Sequence, residues 1–587
     1  MTKKQSKGKK TDWSNIIIIL LSTIGLTACV AVIFPQIRQM IMDFAALIYQ
    51  REASMNESWL RVLLSFAMGG IFIILFFDYC TLTVSGKALV NKTRQEIMDC
   101  LSGIDYRSFV KPALILFGIY LLGILTIIRA NYLYIDDIGR AAYGYREWHN
   151  WSRYFMILLS FFVHPEINIT DSSPLPQLIA ILFLTISSVL LIYIIAGKKI
   201  TTAHLIASIP LGLSPYFLEC LSFKFDCTSM SFSILASIFP FLFMARKRAF
   251  IFCSILSLLI MCMTYQAASG VYLLIVVIVC FQEWNKRKKT NKEILSFLST
   301  AAFSYCFALL FFRLFLMKPL DSYVSNEMHP VSQIASGVLS NIKDYVIIIN
   351  NDFGVIWKTG IVFVLFFFII KSLYQTTQNK LFSLFVSILL ICILFILSYG
   401  VYSLLTLPMF SPRALLGFGV FLSIMCIYVV SDYKKSAAIV VLALNWCFFV
   451  FAFSYGNALA DQNRYANFRT GIILHDLSVL YPDNIDNIPI QINNSIGYTP
   501  TVQNIARHNP VIERLVPVQL EENNLFSYIY FHSYHNFGQL KPQVLSYSQD
   551  YEDFKKLDLP VVLDSYYHTI KSDGNRILVV LKDSSFQ

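Results

Sequence analysis

The chain has 587 residues, 56% of them hydrophobic and 14% charged, with a formal net charge of +11 when His is neutral. Soluble domains carry about a quarter charged residues, so this balance excludes an ordinary globular enzyme and predicts a chain built largely for lipid. Nucleic acid is excluded as a partner too. The basic excess falls in short clusters between apolar runs, from Lys87 to Arg107, at Lys198 and Lys199, over 246–248 and 286–289, and at Lys434 and Lys435.

In chain order, the basic leader "KKQSKGKK" precedes an apolar run over 14–34. That run is too long for a signal-peptide core and lacks a small-residue cleavage site, so it reads as an anchor that stays. A second run at 60–82 completes a hairpin, giving an N-terminal unit over residues 1–108. Apolar runs able to cross a bilayer core of about 30 Å then recur near 109–129, 175–196, 202–217, 228–244, 249–264, 267–282, 294–316, 353–370, 381–406, 412–430 and 436–455. They are continuous rather than alternating, so they predict helices and not a barrel. The expectation is a polytopic α-helical membrane protein of about 13 transmembrane helices. With the leader inside, every basic cluster lands on the cytoplasmic face, and the C-terminus lies outside.

The body over 109–455 carries a large outer loop, 130–174, which opens with "NYLYIDDIGR" and continues into an aromatic, amphipathic segment suited to the interface. Further outer loops read "PYFLECLSFKFDCTSM", "MKPLDSYVSNEMHPVS" (within 317–352) and "LPMFSPRALLGFG". After residue 455 the composition changes. An amphipathic helix, "DQNRYANFRTGIILHDLSVLYPDN", leaves the membrane, and the runs "IPIQIN", "FSYIYFH", "LPVVLDSYY" and "RILVVLK" predict strands of a small extracytoplasmic mixed α/β domain over 456–587. The twelve cysteines lie almost wholly in apolar runs without zinc-site spacing. Cys220 and Cys227, bracketing one loop, are the candidate disulfide.

Asp136 and Asp137 have two readings. A helix over "IGRAAYGY" needs an N-cap, and a second acid complements its dipole. Alternatively, a carboxylate at the rim of an apolar body has a raised pKa suited to taking a proton from a hydroxyl; adjacent side chains diverge, so only one acid need face a substrate. Arg413 is either an interfacial snorkelling residue or a bidentate phosphate ligand, with Lys224 and Arg140 as supplements. Asp226 either pairs with Lys224 or serves catalysis beside Glu219. Gln266, after Tyr265, sits at a helix end, where an interhelical hydrogen bond is its simpler role. His149 and His164 lack a ligand framework, and no metal or cofactor is expected. No phosphate loop, serine elbow or zinc-protease motif is present. A substrate on the outer face must therefore arrive by membrane, activated by its lipid link.

The segments "NYLYIDDIGR", "PYFLECLSFKFDCTSM", "TYQAASGVY" and "FSPRALLGFG" resemble, in order, the bacterial membrane glucosyltransferases that modify surface polysaccharide, the O-antigen serotype-converting enzymes of the GT-C class. The likeness runs from about residue 109 to 470. It implies a GT-C-like body in the bacterial cytoplasmic (inner) membrane, a polyprenyl-phosphate sugar donor, a surface glycan acceptor or its lipid-linked precursor, and an inverting single displacement without a metal. Carried over, Asp137 is the expected base with Asp136 holding position. Arg413, Lys224 and Arg140 are expected at the donor phosphate, and Glu219, Asp226, Gln266 and Tyr265 at the substrate. The N-terminal hairpin and the C-terminal domain have no counterpart in the resemblance. A lipid-linked-sugar flippase and a polysaccharide polymerase are the competing readings. The first needs ionisable groups near the bilayer midplane, whereas the charges here cluster at helix ends.

Overall fold

A computed structural model describes residues 83–318, 327–431, 435–482, 485, 488–535 and 557–583. The predicted leader and the spans at 14–34 and 60–82 lie outside them. Among the described residues, eight helices are long and apolar enough to cross a membrane, or nine if one bent pair counts as a single span. Tyr106–Ala130, Leu175–Ala196, Gln266–Asn285, Asn291–Leu316, Val355–Gln375, Lys380–Leu397, Pro412–Val430 and Ser436–Leu480 fall on predicted runs. The run at 202–217 is the bent pair, Thr202–Leu213 and Pro215–Ser222, which turn 60° apart. Ser214 makes the break: its side chain accepts the Phe217 N–H, and Pro215 follows at the first helical position, where no N–H is needed.

The runs at 228–244 and 249–264 give shorter helices than a bilayer needs. Lys247–Cys262 has 16 residues, about 24 Å at 1.5 Å per residue. Cys227–Ile238 continues into a short 3₁₀ turn, Phe239–Phe243. Both nonetheless run between the two ends of the bundle: Asp226 before the first pairs with Arg140, Arg248 at the turn between them pairs with Glu96, and Gln266 after the second reaches Trp151. Pro412–Val430 is the central helix, 94% of its span buried by protein, whereas Val355–Gln375 and Lys380–Leu397 are 22% buried and turn apolar faces outward. The segment 317–352, predicted as an outer loop, contains the helix Ile334–Asp352.

The predicted last span and the amphipathic helix after it are one 46-residue helix, Lys435–Leu480, about 69 Å long and more than twice the bilayer core. Its membrane half packs along Tyr106–Ala130. The approach is close at Gly456, where a Cβ would stand 2.6 Å from the Thr126 carbonyl carbon, and Thr126 Oγ1 donates to the Ala452 carbonyl at 3.2 Å. Its far half carries a four-stranded sheet: β1 (Ile490–Asn493), β2 (Val561–Asp564), β3 (His568–Ser572) and β4 (Ile577–Leu581), in the order β1-β4-β3-β2. β1 and β4 are parallel and the other pairs antiparallel. Three strands fall on predicted runs. "FSYIYFH" is helical instead, starting at Leu525 behind the Asn524 cap. Arg469, fully buried, pins helix to sheet by donating to the carbonyls of Tyr567 (2.6 Å) and Lys582 (2.8 Å).

Among the described residues three apolar cores result, the smallest formed by Trp148, Met156, Ile169 and Phe225 beside the acid helix. One fills the membrane body and takes in Val502, Ala506, Ile512, Leu515 and Val516 from beyond the long helix. Another joins the sheet to Ala466, Ile473 and Leu477, and includes Leu133 and Ile138 beside the acid pair. Cys220 and Cys227 are free thiols, not a disulfide.

Candidate functional site

Tyr106–Ala130 ends at Asn131 in the left-handed region (φ 46°), and after a second positive φ at Ile135 the chain enters the helix Asp136–Tyr143. The two acids open this helix but do different things. Asp137 is fully buried, and three backbone N–H groups donate to it: Lys224 at 2.8 Å and Tyr134 at 3.3 Å to Oδ2, Phe225 at 3.4 Å to Oδ1. Burial pushes its pKa up to about 8, against the Lys224 N–H bond that favours the ionised form. Asp136 is half-exposed and lies 3.6 Å from Arg140, one turn along. Burial also raises its pKa, opposed by Arg140, Arg413 and Arg153.

The loop 223–226 between Pro215–Ser222 and Cys227–Ile238 is stitched to the acid loop at three points. Asp137 clasps its backbone. Lys224, 3% exposed, donates from Nζ to Asn131 (2.6 Å) and Asp171 (2.7 Å). Asp226 accepts the Trp148 indole N–H at 2.9 Å and pairs with Arg140 at 3.1 Å, not with Lys224. The Arg140 guanidinium lies over Trp148, 5.0 Å from the ring centre.

A second cluster adjoins this one. Arg413, at the start of the central helix, is 2.9 Å from the fully buried Glu219, which also accepts the Arg413 backbone N–H. The Arg413 guanidinium lies over Phe223 at 5.0 Å, and Phe223 meets Tyr134 edge-on at 4.7 Å. The Tyr134 hydroxyl reaches Glu219 (3.4 Å) and the Leu515 carbonyl (2.9 Å), which also takes the Tyr455 hydroxyl (3.2 Å). Arg514 binds Asp352 and the Phe410 carbonyl. A segment from beyond the long helix thus forms part of the site wall. Gln266 donates weakly to the Trp151 carbonyl, at 3.5 Å, and Tyr265 lies buried beneath Arg153.

Asp136, Asp137, Arg140, Lys224 and Asp226 therefore come together in one cluster, with Glu219 and Arg413 in the next and Tyr265 and Gln266 at its edge. All five residues of the first cluster bond one another or Asp171. Trp148, Asn131, Asp171 and Arg153 complete the arrangement but were not singled out by residue type. The first and last lie in the aromatic segment after the acid pair, where such residues also read as an interfacial belt. The Leu515 carbonyl has no sequence signal at all.

Residues 125–424, just over half of the chain, match the glucosyl transferase GtrII family. The match spans both clusters except for Tyr455 and the segment around Leu515. An uncharacterized 55.3 kDa protein in the gtrB 5′ region of Salmonella phage P22 is similar as well, 23% identical over 442 residues that cover 70% of this chain and 87% of that protein. No solved structure matches the chain. With its rim of acids and arginines at the ends of apolar helices, the chain belongs to the glucosyl transferase GtrII family and is a membrane glycosyltransferase.

Proposed function

We propose that the enzyme transfers a single glucosyl unit from a polyprenyl-phosphate donor to a hydroxyl of a surface polysaccharide, such as O-antigen, or its lipid-linked precursor, on the extracytoplasmic face. The observation that carries the reading is the setting of Asp136: a half-exposed carboxylate, its pKa raised by burial, in the fields of Arg140, Arg413 and Arg153. The face follows from charge. Asp136, Asp171, Gln266 and Arg413 stand at one end of the spans Tyr106–Ala130, Leu175–Ala196, Gln266–Asn285 and Pro412–Val430. Arg107 and Lys111, Lys198 and Lys199, and Lys286 to Lys289 stand at the opposite ends, and the basic ends belong inside.

Asp136, rather than Asp137, is the base. The backbone donors on Asp137 leave it a positioning role: it fixes the acid helix against loop 223–226. Asp136 removes the proton of the acceptor hydroxyl as that oxygen attacks the anomeric carbon. The bond from that carbon to the phosphate oxygen breaks, and the polyprenyl phosphate leaves with the electron pair, its charge met by Arg413. A single displacement inverts the centre, so a β-linked donor yields an α-linked product. Lys224, Arg140, Asp226 and Glu219 hold the loops in register, and Gln266 and Tyr265 border the sugar.

The test is transfer by purified protein of labelled glucose from polyprenyl-phosphate glucose to acceptor glycan, with the product anomer read by NMR. Transfer with inversion is expected. Transfer only from a nucleotide sugar would overturn the donor assignment, and retention would overturn the single displacement.

A further inference from the structure

Three cations around the acid pair are matched by carboxylates, and Arg146 is held by the Ser160 hydroxyl and the His164 and Ile167 carbonyls. Lys224 has Asp171, Arg140 has Asp226 and Asp136, and Arg413 has Glu219. Arg153 has no carboxylate at ion-pair distance among the described residues. It stands at the head of the helix Tyr154–Val163, half-buried, with its guanidinium 5.0 Å from the centre of the Tyr265 ring. Its Nε is buried and donates to nothing. Tyr265 beneath it is 1% exposed, and its hydroxyl too has no hydrogen-bond partner. An unsatisfied buried donor costs about 1–3 kcal/mol, and native structures hold few of them. Two such donors on stacked side chains, one of them a cation without a carboxylate, mark a place for an anion. Arg153 and Arg413 both act electrostatically on Tyr265 and on Asp136, so the place faces the same side as the base.

We propose that Arg153 and the Tyr265 hydroxyl form a phosphate subsite that takes the phosphodiester of the donor and the phosphate monoester that leaves. The diester offers two free acceptor oxygens and the monoester three, and a guanidinium fork plus one hydroxyl fits either. Its assignment to the donor rests on the reading above. The recognised chemistry is the phosphate group, whether free or lipid-borne.

Full-length protein in nanodiscs is titrated calorimetrically with farnesyl phosphate, farnesol and inorganic phosphate. Wild type binds farnesyl phosphate more tightly than farnesol. Arg153→Gln weakens farnesyl phosphate at least about tenfold, and Tyr265→Phe weakens it less. Arg153→Lys recovers part of the loss, and farnesol binding does not move. Inorganic phosphate binding with the same Arg153 dependence assigns the subsite to the bare anion; farnesyl phosphate binding alone assigns it to a lipid headgroup. Equal binding of farnesyl phosphate by wild type and Arg153→Gln overturns the subsite, as does equal binding of farnesol and farnesyl phosphate by wild type. The two readings separate cleanly. Arg153-dependent phosphate binding without glucosyl transfer sinks the donor reading alone. Transfer from polyprenyl-phosphate glucose with an unchanged donor KM in Arg153→Gln sinks the subsite alone.

Discussion

The two acids differ enough in their bonding that amide substitution separates their roles. In Asp136→Asn the half-exposed side chain loses one ion pair at 3.6 Å, worth no more than about 1 kcal/mol at such exposure. Loss of a general base costs about 10²- to 10⁴-fold in rate, or about 2.7–5.4 kcal/mol of barrier. Asp137→Asn does the reverse. One amide oxygen still accepts the Lys224 and Tyr134 N–H groups, which share Oδ2. The amide nitrogen then faces the Phe225 N–H, whose acceptor was Oδ1 at 3.4 Å, and one buried donor goes unsatisfied at about 1–3 kcal/mol. Asp137→Ala strands all three N–H groups and costs more than the amide. The assay pairs the thermal unfolding midpoint in detergent with glucose transfer from polyprenyl-phosphate glucose. Asp136→Asn keeps the wild-type midpoint and loses turnover by at least about a hundredfold. Asp137→Asn melts lower but retains turnover at temperatures where it is folded. An inactive Asp137→Asn with a wild-type midpoint, beside an Asp136→Asn that keeps most of its turnover, would refute the assignment.

Arg140→Gln removes a charge that lowers the Asp136 pKa, so that pKa rises further. Because the base works when deprotonated, the acid limb of the kcat/KM profile moves to higher pH; a limb that stays put or moves lower counts against Asp136 as base. Lys224→Gln breaks the ion pair between buried Lys224 and exposed Asp171 and destabilises the protein by about 1 kcal/mol. Its donor KM changes less than about twofold relative to wild type, a measurement that would expose any direct phosphate contact. Gly456→Val drives a side chain into the Thr126 backbone, and overpacking against main chain costs about 3 kcal/mol or more. A lower unfolding midpoint is the expected readout, and a wild-type midpoint would mean that the two long helices do not meet as closely as described.

Span positions were legible because length and apolarity are local properties of a run. At 228–264 the same apolarity gives helices shorter than the other spans, Cys227–Ile238 with its 3₁₀ extension and Lys247–Cys262, because hydropathy does not mark where a helix ends. "FSYIYFH" has the aromatic content of a strand, but Asn524 caps a helix there, and the neighbour β4 needs is β3, "HTIKS", whose alternation of buried and half-buried residues is masked by its polarity. The acid pair and Arg413 stood out because charges are scarce in an apolar chain. Which acid faces outward did not, since that depends on backbone donors at 224 and 225. Nor did the partner of Lys224, 53 residues away at Asp171.

The pairing of Arg140 and Arg413 with buried carboxylates bears on how such a site works. At the membrane rim an unmatched guanidinium tends to drift toward lipid headgroups and water, and a wandering donor contributes little to a transition state. Glu219, accepting both the backbone N–H and the side chain of Arg413, fixes that arginine over Phe223 before any donor arrives, which is the preorganisation that electrostatic catalysis needs. The same carboxylate offsets the charge, so Arg413 alone offers a modest attraction to the resting phosphodiester. An unmatched cation nearby supplies what is missing. Arg153 draws the anion in, and Arg413, held still, meets the charge that grows on the phosphate oxygen as the glycosidic bond breaks. On this division, loss of Arg153 raises the donor KM while loss of the Glu219 clamp lowers kcat, because the first acts on ground-state binding and the second on the geometry of the transition state.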